Sequence, residues 1–459
     1  MEDFLEGKKH IHFIGIGGSG MYPLAQILHS KGFYLTGSDN NPTETVDLVK
    51  KMGITVYMGQ REENIKGADL IVYTAAIMDD NPELIAARSS GVKVIERADL
   101  LALITGRYSN SICVSGTHGK TTATSMLTQI FLAGDIDVSA VIGGKLKAIN
   151  GSGIAGSSNT LCCEACEFLD HFLKLSVDIA VVLNVDEDHL DYFKNLDNII
   201  SSFHIFCEHA AKAVIINGDD RNSLTAVKGI NGKDIVTFGR SEKNNWYAEN
   251  IVHSGNLETY FTIMHNGKRF CDAVIHVPGE HNIVNALAAA AAAEYSGLSA
   301  ESIAKGLDDF TGAGRRFEKF GEYGGITVVD DYGHHPAEIA ATLKTAKAMS
   351  FKRVWAVHQP FTYSRTYMLM DDFAKALSIA DRVVLTEIMG SREKNTYNVY
   401  AKDLCEKING CVWFPEFEQV ADYVCKNAEE GDLIITLGCG DVYKAARMIC
   451  KKLEEGSNK

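Results

Sequence analysis

The sequence predicts an α/β protein of three domains. Patterns typical of strands and helices alternate along nearly the whole chain, as in proteins whose parallel sheets are covered by helices. A length of 459 residues fits about three domains of roughly 150 residues each. The hydrophobic fraction of 46% is sufficient for sizeable buried cores. We place the domains at residues 1–107, 108–315 and 316–459.

The first domain begins with the strand HIHFIGIG, the helix GMYPLAQILHSKG and the strand FYLTGSD. A helix, VDLVKKMG, and the strands ITVYMG, ADLIVYTAA and VKVIER follow. This order predicts a Rossmann-like domain built on a parallel sheet.

A glycine loop follows the first strand of this domain. Gly15, Gly17 and Gly20 form a G-x-G-x-x-G motif, and Asp39 ends the second strand. The motif fits either a nicotinamide cofactor or the diphosphate of another nucleotide, because amides at a helix N-terminus attract phosphate. A purely structural tight turn is the alternative interpretation.

The second domain contains the strands SICVS, DIAVVLNV and AKAVIINGDD. Between Thr237 and Val277 the strands are shorter and alternate in polarity, as in LETYFTIMH, which predicts an antiparallel addition. GEHNIVNALAAAAAAEYSG predicts a long, packed helix. We therefore expect a central domain with a mixed sheet.

The stretch GTHGKTT, residues 116–122, lies between the strand SICVS and a helical pattern. A full G-x-x-x-x-G-K-[ST] loop would carry glycine at the position of Val114. Lys120 can still reach terminal phosphates, and Thr121 offers a hydroxyl to Mg²⁺. We interpret the stretch as a P-loop-type nucleotide site, with a structural turn as the alternative.

Two acidic segments follow predicted strands of the central domain. LNVDEDHLDYF places His189 just beyond a strand, where open α/β sheets bind ligands. CCEACEFLDHF places Glu164 at the end of an apolar segment, where a carboxylate needs a partner such as Mg²⁺. An acidic helix N-terminus and an ordinary loop glutamate are the alternatives.

The third domain contains the strands GITVVDDYG, RVWAVHQP, RVVLTEIMG and DLIITLGCG with helices between them. It is predicted to be doubly wound and Rossmann-like. Asp331, Tyr332 and His334 lie just past a strand, with Pro336 at the start of a helix. This placement predicts a substrate site, and a capped turn with satisfied histidines is the alternative.

Composition excludes several classes of function. A net charge of −14 argues against binding a nucleic-acid backbone. MEDFLEGKKH lacks an apolar signal region, and no stretch has the roughly eighteen apolar residues of a membrane helix. Eleven cysteines without an export signal indicate reduced thiols in the cytoplasm. The cluster Cys162, Cys163 and Cys166 fits no standard zinc spacing, which favours small buried hydrophobes.

Several segments together resemble the Mur ligase family of amide-forming enzymes. They occur in the family's order between about residues 10 and 445: HFIGIGGSGM, GTHGKTT, NVDEDHLDYF, GEHNIVNALAA, GRRFE, DDYGHHP and GCGD. The resemblance implies that the first domain binds a UDP-sugar, the second ATP with Mg²⁺, and the third the amino acid. The family's loop is G-T-x-G-K-[ST], so Val114 is no departure.

The resemblance also implies the reaction, the ATP-dependent ligation of L-alanine to the lactyl carboxylate of UDP-N-acetylmuramate. Both substrates are small molecules, and the protein is expected to be a monomer or homodimer. The implied ATP site comprises Gly116, Thr117, Gly119, Lys120, Thr121, Thr122, His281, Asn282, Asn285, Arg316 and Asp331. The implied UDP-sugar site comprises Gly15, Gly17, Gly18, Ser19, Gly20, Met21, Ser38, Asp39 and His118.

The same resemblance assigns the remaining roles. Mg²⁺ is expected at Thr121, Glu164 and His189, and the amino acid at Tyr332, His334 and Arg365. The expected catalytic residues are Lys120, His189, His334 and Arg365.

The chain departs from the family in two stretches. At the position of the family's E-A-D-E-S-D stretch this chain has EACEFLD, which lacks one of the aspartates. At the position of Q-P-H-R-Y-T-R it has QPFTYSR, in which Thr362 replaces a basic residue. Glycine or serine are therefore possible substrates beside alanine. Within the family the alternative is a ligase that adds a preformed peptide to UDP-N-acetylmuramate. A nicotinamide-dependent oxidoreductase is an alternative from another class.

Overall fold

The computed structural model describes residues 4–254, 258–391 and 393–457. They form a five-stranded, a ten-stranded and a six-stranded sheet. Two compact units result, one from residues 4–254, 258–276 and 280–311, the other from residues 277–279 and 312–457. The α/β class is confirmed, and the boundaries at 107/108 and 315/316 stay predictions.

The first unit contains the five-stranded sheet, whose strands are all parallel. Its strands are β1 (His10–Ile14), β2 (Tyr34–Asp39), β3 (Thr55–Met58), β4 (Leu70–Tyr73) and β5 (Lys93–Glu96). The helices are α1 (Tyr22–Ser30), α2 (Glu44–Lys51), α3 (Pro82–Ser89) and α4 (Arg97–Thr105). The order β3-β2-β1-β4-β5 reverses direction at β1, and such a switch point opens a crevice at the carboxyl ends of the strands.

The ten-stranded sheet belongs to the same unit, in the order β15-β14-β13-β12-β11-β10-β6-β9-β7-β8. Its strands are β6 (Asn110–Ser115), β7 (Ser139–Leu146), β8 (Gly151–Ile154), β9 (Thr160–Glu164), β10 (Ile179–Val182), β11 (Ala213–Asn217), β12 (Asp234–Phe238), β13 (Trp246–Ser254), β14 (Glu258–His265) and β15 (Lys268–Ile275). The helices are α5 (Lys120–Ala133), α6 (Leu190–Phe193), α7 (Leu196–His209), α8 (Arg221–Ala226), α9 (Glu280–Tyr295) and α10 (Ala300–Asp308).

This sheet is mixed, as predicted. The pairs β13–β14 and β14–β15 are antiparallel, which confirms the expected addition. The antiparallel pair β7–β8 at the opposite edge was not predicted, because its glycine-rich strands carry little hydrophobic alternation. Helix α9 packs against α5, and its alanines are buried because small side chains allow two helices to approach closely.

The second unit contains the six-stranded sheet, in the order β16-β17-β21-β18-β19-β20. Its strands are β16 (Glu318–Tyr323), β17 (Ile326–Asp331), β18 (Arg353–His358), β19 (Arg382–Leu385), β20 (Val412–Trp413) and β21 (Asp432–Leu437). The helices are α11 (Pro336–Lys347), α12 (Tyr363–Met368), α13 (Met370–Leu377), α14 (Ala401–Glu406), α15 (Phe417–Asn427) and α16 (Tyr443–Ser457). All pairs but β16–β17 are parallel. The carboxyl ends of the neighbouring strands β17, β18 and β21 therefore lie at the same edge of the sheet, where they are followed by the stretches YGHH, QP and GCG.

A buried carboxylate, that of Asp432 at the start of β21, joins neighbouring side chains at the amino ends of the strands. Asp432 accepts two hydrogen bonds from Arg353 at 2.8 and 2.6 Å, and one from the indole of Trp355 at 3.0 Å. Burial alone would raise the pKa of Asp432, but these bonds outweigh it and the pKa lies below its ordinary value. The carboxylate therefore contributes stability at neutral pH, which is lost as the pH falls through its folded-state pKa.

We expect Asp432→Asn to lower the free energy of unfolding at neutral pH by about 3 kcal/mol, because it removes the buried counter-ion of Arg353 and leaves only the exposed carboxylate of Glu429, at 3.4 Å. Urea unfolding at several pH values measures the difference, which should shrink in acid as the native carboxylate is protonated. Asp371→Asn, at an exposed ion pair with Lys407, is the control and should change little. A pH-independent difference would contradict the assignment.

In the part of the chain that the structure describes, the helices lack the combination of length and apolar character that crossing a bilayer requires.

Candidate functional site: a phosphate loop and its neighbours

The stretch at residues 116–119 joins β6 to α5 and is held by the backbone and the side chain of Asn184. Thr117 N–H donates to the carbonyl of Asn184 at 3.1 Å, and His118 N–H donates to the Asn184 side chain at 2.8 Å. Gly119 has a φ of 88°, and a Cβ there would lie 2.7 Å from Oδ1 of Asn285. The loop therefore requires glycine for its backbone conformation and for the close approach of α9.

The ammonium of Lys120 lies within this loop. It donates to the carbonyl of Gly116 at 2.6 Å and of Thr117 at 3.2 Å, and lies 3.0 and 2.9 Å from the two carboxylate oxygens of Glu167. Burial alone would lower the pKa of Lys120, but the charge and hydrogen bond of Glu167, with the charge of Glu164, raise it. The lysine is therefore a fixed cation.

The strands beside β6 place the predicted acidic residues at the same edge. Glu164 ends β9, which pairs in parallel with β6, and accepts a hydrogen bond from Gly143 N–H at 2.8 Å. His189 follows β10, the other neighbour of β6, and its ring packs on Phe168 with centroids 4.6 Å apart. Its φ of 51° is left-handed, which is uncommon outside glycine and frequent at functional sites.

These residues fit a magnesium ion held together with phosphate. Within residues 4–254, 258–391 and 393–457, no three His, Cys, Asp or Glu side chains converge on one point. Mg²⁺ does not require such a cage, because it is bound through one or two carboxylates, phosphate oxygens and water. The hydroxyl of Thr121 at the start of α5 and the carboxylate of Glu164 are suitable oxygen donors on this edge. His189 is a less usual ligand for so hard a cation.

The N-terminal glycine loop, residues 15–20, is held by hydrogen bonds and close packing, as the phosphate loop is. Gly15 N–H donates to the carbonyl of Ser38 at 2.8 Å, and Gly17 N–H donates to Asp39 at 3.0 Å. A Cβ on Gly17 would lie 2.4 Å from the side chain of Val46. Asp39 thus holds the loop itself, in addition to any ligand contact.

Two cavities meet at this loop and share Gly18, Thr74 and Ala76. The glycine-loop cavity, ≈ 610 Å³, is lined by Gly15, Gly17 and Asp39 and by the amide side chains of Asn40, Gln60 and Asn81. The inner cavity, ≈ 400 Å³, is lined by Ser19, Gly20, Met21, Arg97, Gly143, Glu164, Cys166 and His171. A continuous lining therefore runs from the glycine loop to Glu164.

Two of the predicted UDP-sugar residues lie elsewhere. Ser38 is fully buried and its hydroxyl donates to Glu83 at 2.7 Å, within a network that includes His12. It lines neither cavity. His118 is half-buried in the phosphate loop and also lines neither cavity.

The cavity residues that sequence reasoning missed include Asn40, Gln60, Asn81 and Arg97. Arg97 had a usable signal, since it directly follows β5 at the carboxyl edge of a parallel sheet. The three amides had none, because Asn and Gln are frequent in surface loops. Cys162 and Cys163 are fully buried in β9, consistent with small hydrophobes.

Helix α9 contributes the other predicted ATP residues. Asn285 donates to the side chain of Asn282 at 3.0 Å and both are buried, with Asn285 close to Gly119 of the phosphate loop. His281 is exposed one residue earlier. The structure thus brings Asn285 to the loop and joins Asn282 to it.

The second unit holds a separate cluster after β17. Asp331 is buried and accepts hydrogen bonds from Phe317 N–H at 2.9 Å and Gly333 N–H at 2.8 Å. Burial raises the pKa of Asp331 although these bonds and the charge of Arg316 oppose it. The Arg316 guanidinium lies 5.2 Å from the ring centre of Tyr332, so the aromatic face orients it.

His334 and Arg365 complete this cluster. Burial, with the charges of Arg365 and Arg316, lowers the pKa of His334 despite the carboxylate of Glu338. His334 is therefore neutral at physiological pH and can accept a proton. In Arg365, Nη1 is buried and has no hydrogen-bond partner among the described residues, which indicates a place for an anion.

Two further residues shape this cluster. Thr362 begins α12, where its hydroxyl accepts a hydrogen bond from Arg365 N–H at 3.4 Å, so the departure at this position has a structural role. Its φ of 64° is unfavourable for a β-branched residue. Arg315, missed in the sequence, pairs with Asp330 at 2.8 Å and donates to the carbonyls of Gly438, Cys439 and Gly440.

Comparison with known proteins identifies the family. Three family models match: the Mur ligase family catalytic domain at residues 10–109, the Mur ligase middle domain at 114–293, and the Mur ligase glutamate ligase domain at 315–440. UDP-N-acetylmuramate–L-alanine ligase of Acetivibrio thermocellus is 46% identical, covering 96% of both chains. The enzyme of the same name from Caldanaerobacter subterraneus is 42% identical, covering 99% of both.

Solved structures agree with this result. A UDP-N-acetylmuramate–alanine ligase from Thermotoga maritima has a TM-score of 0.84 at 27% identity, covering 98% of this chain and 100% of that one. A murein peptide ligase from Psychrobacter arcticus has a TM-score of 0.74 at 25% identity, covering 97% and 99%. The phosphate loop, the two neighbouring acidic segments and these matches lead to one conclusion: the chain belongs to the Mur ligase family, whose members use ATP to form carbon–nitrogen bonds.

Proposed function

We propose that the protein joins L-alanine to the lactyl carboxylate of UDP-N-acetylmuramate in peptidoglycan biosynthesis. The products are UDP-N-acetylmuramoyl-L-alanine, ADP and phosphate. The observation that supports this proposal most directly is the phosphate loop around Lys120, which lies at the same sheet edge as Glu164. Glu164 also lines the inner cavity. The names of the relatives at 46% and 42% identity support alanine as the amino acid.

The UDP-sugar fits the two adjoining cavities. The amides of Asn40, Gln60 and Asn81 in the glycine-loop cavity offer donors and acceptors to a nucleobase. The backbone at Ser19 and Gly20, just before α1, suits the diphosphate, since the N–H groups of Gly17 and Gly18 already donate to Asp39 and Gly15. The sugar and its lactyl group would then extend into the inner cavity past Arg97 toward Glu164. Asp39 positions the loop that holds the diphosphate.

The first chemical step activates the carboxylate. Its oxygen attacks the γ-phosphorus of ATP, ADP leaves, and an acyl phosphate forms, which divides one difficult reaction into two easier ones. Lys120 stabilises the negative charge on the transferred phosphoryl group. Thr121 and Glu164, with His189 beside them, would hold Mg²⁺, which supplies further charge neutralisation when bound.

The second step forms the amide bond. The alanine amine attacks the acyl carbon, a tetrahedral intermediate forms, and phosphate leaves. We assign Arg365 to the alanine carboxylate or the acyl phosphate, because Nη1 of its guanidinium has no hydrogen-bond partner in the part of the chain that the structure describes. His334 is suited to take the proton from the amine, since burial keeps its imidazole neutral. Tyr332 and Arg316 form the adjacent wall, and the reaction would take place in the cytoplasm.

Phosphate release tests this function directly. We expect release from ATP only when UDP-N-acetylmuramate and L-alanine are both present, with UDP-N-acetylmuramoyl-L-alanine detected by mass spectrometry. Release that needs neither substrate would instead indicate a different ATPase. Glycine and L-serine in place of alanine measure how strictly the pocket selects a methyl side chain.

Addition of a preformed peptide is the second candidate. The structural likeness to the murein peptide ligase supports it, although at 25% identity this likeness is weaker than that to the alanine ligases. Replacing alanine with a tripeptide in the same assay separates the two reactions. We expect the tripeptide to be a poor substrate. The oxidoreductase alternative is wrong, because the chain belongs to a ligase family.

A further inference from the structure

Glu167 is the closest anion to the phosphate-binding lysine. It lies in the 3₁₀ region after β9, is 2% exposed, and both of its oxygens approach the ammonium of Lys120, at 3.0 and 2.9 Å. This contact joins residues 47 positions apart. The carboxylate thus stands where a phosphate anion would compete for the same cation.

The ammonium of Lys120 has no spare donor. Its three N–H groups face the carbonyls of Gly116 and Thr117 and the carboxylate of Glu167. A phosphate oxygen can bind Lys120 only if one of these acceptors withdraws. Glu167 is the only side chain among the three, so rotation about its own bonds can release the lysine without moving the loop backbone.

We propose that the carboxylate of Glu167 is an internal competitor that excludes small inorganic anions from the phosphate loop and yields only to a nucleoside triphosphate. Glu167 is then a specificity-determining residue of the ATP site, and the proposal rests on the proposed function.

The selection follows from the number of contacts that each ligand can make. Orthophosphate or pyrophosphate reaches only the loop amides and Lys120, and must displace a carboxylate that is already held at hydrogen-bond distance. ATP gains further contacts through its nucleoside, so it can offset the separation of Lys120 from Glu167. The carboxylate also prevents a buried ammonium from lacking a partner when the site is empty.

Glu167→Gln keeps the size of the side chain and removes its charge. We expect the dissociation constant of pyrophosphate to fall by about tenfold, because the competing charge near Lys120 is gone. The affinity for a non-hydrolysable ATP analogue should also increase. Glu167→Asp keeps the charge on a shorter side chain and should give intermediate values.

Titration calorimetry with pyrophosphate and with the ATP analogue, on the full-length chain, measures these affinities. Glu187→Gln is the matched control, since it removes an exposed carboxylate of the same sheet edge and should leave both affinities unchanged. A general loosening of the fold would weaken the binding of both ligands, whereas the loss of a competitor strengthens it. Thermal unfolding of each variant checks that the protein is folded.

Unchanged or weaker pyrophosphate binding in folded Glu167→Gln would overturn the proposal. The proposed function would survive that result as long as Lys120→Met abolishes binding of the ATP analogue. If Lys120→Met binds the analogue like the unaltered protein, the ATP site itself is misplaced and both proposals fail.

Discussion

Lys120→Met is expected to reduce kcat/KM for ATP by about 10³- to 10⁴-fold. The ammonium is the cation fixed inside the loop at residues 116–119, and charge stabilisation of the transferred phosphoryl group depends on it. Lys120→Arg keeps the charge, but its planar, larger head group does not fit the space between Gly116 and Glu167, so it should restore little activity. Phosphate release with both substrates present is the measurement.

The partner of Lys120 complicates this experiment and also supplies its control. Lys120→Met leaves the buried carboxylate of Glu167 without a cation, so the variant should also unfold at a lower temperature. The double variant Lys120→Met with Glu167→Gln removes both charges. It should recover thermal stability and remain inactive. Recovery of activity together with stability would refute a direct role for the lysine.

Arg365→Ala should have the second largest effect, with kcat/KM for L-alanine lowered by about 10²- to 10³-fold. Its buried Nη1 has no partner among the described residues, as expected for a guanidinium that binds an anionic group of a substrate. Arg365→Lys should recover only part of the activity, because an ammonium cannot form the same paired hydrogen bonds.

Steady-state kinetics with alanine and ATP varied separately locate the role of Arg365. An increase confined to the KM for alanine assigns the guanidinium to the amino-acid carboxylate. A fall in kcat with unchanged KM assigns it to the acyl phosphate. Arg382→Ala, at an exposed arginine in β19, is the control and should behave like the unaltered protein. Unchanged kinetics in Arg365→Ala would exclude both roles.

The α/β class, the parallel sheets, the antiparallel addition and the phosphate loop could all be predicted from the residues alone. These features depend on local spacing: alternating strand and helix patterns, glycines where the backbone is left-handed, and lysine and threonine at a helix start. Family resemblance then implied the ligase reaction, and three matching family models confirm the family. The roles of individual site residues stay predictions.

Which side chains meet could not be predicted in this way, because it depends on how distant elements pack. The contact of Lys120 with Glu167 and the lining that joins Arg97 to Glu164 connect residues far apart in the chain. Strand order creates the first of these contacts, because β9, which precedes Glu167, pairs with β6, which precedes Lys120, although it does not follow β6 directly along the chain. Likewise, Ser38 was predicted to bind the UDP-sugar, but its hydroxyl lies in the interior and donates a hydrogen bond to Glu83. The periodicity of a sequence shows on which face of a helix or strand a residue lies. The packing of elements distant in the chain determines which side chains it contacts there.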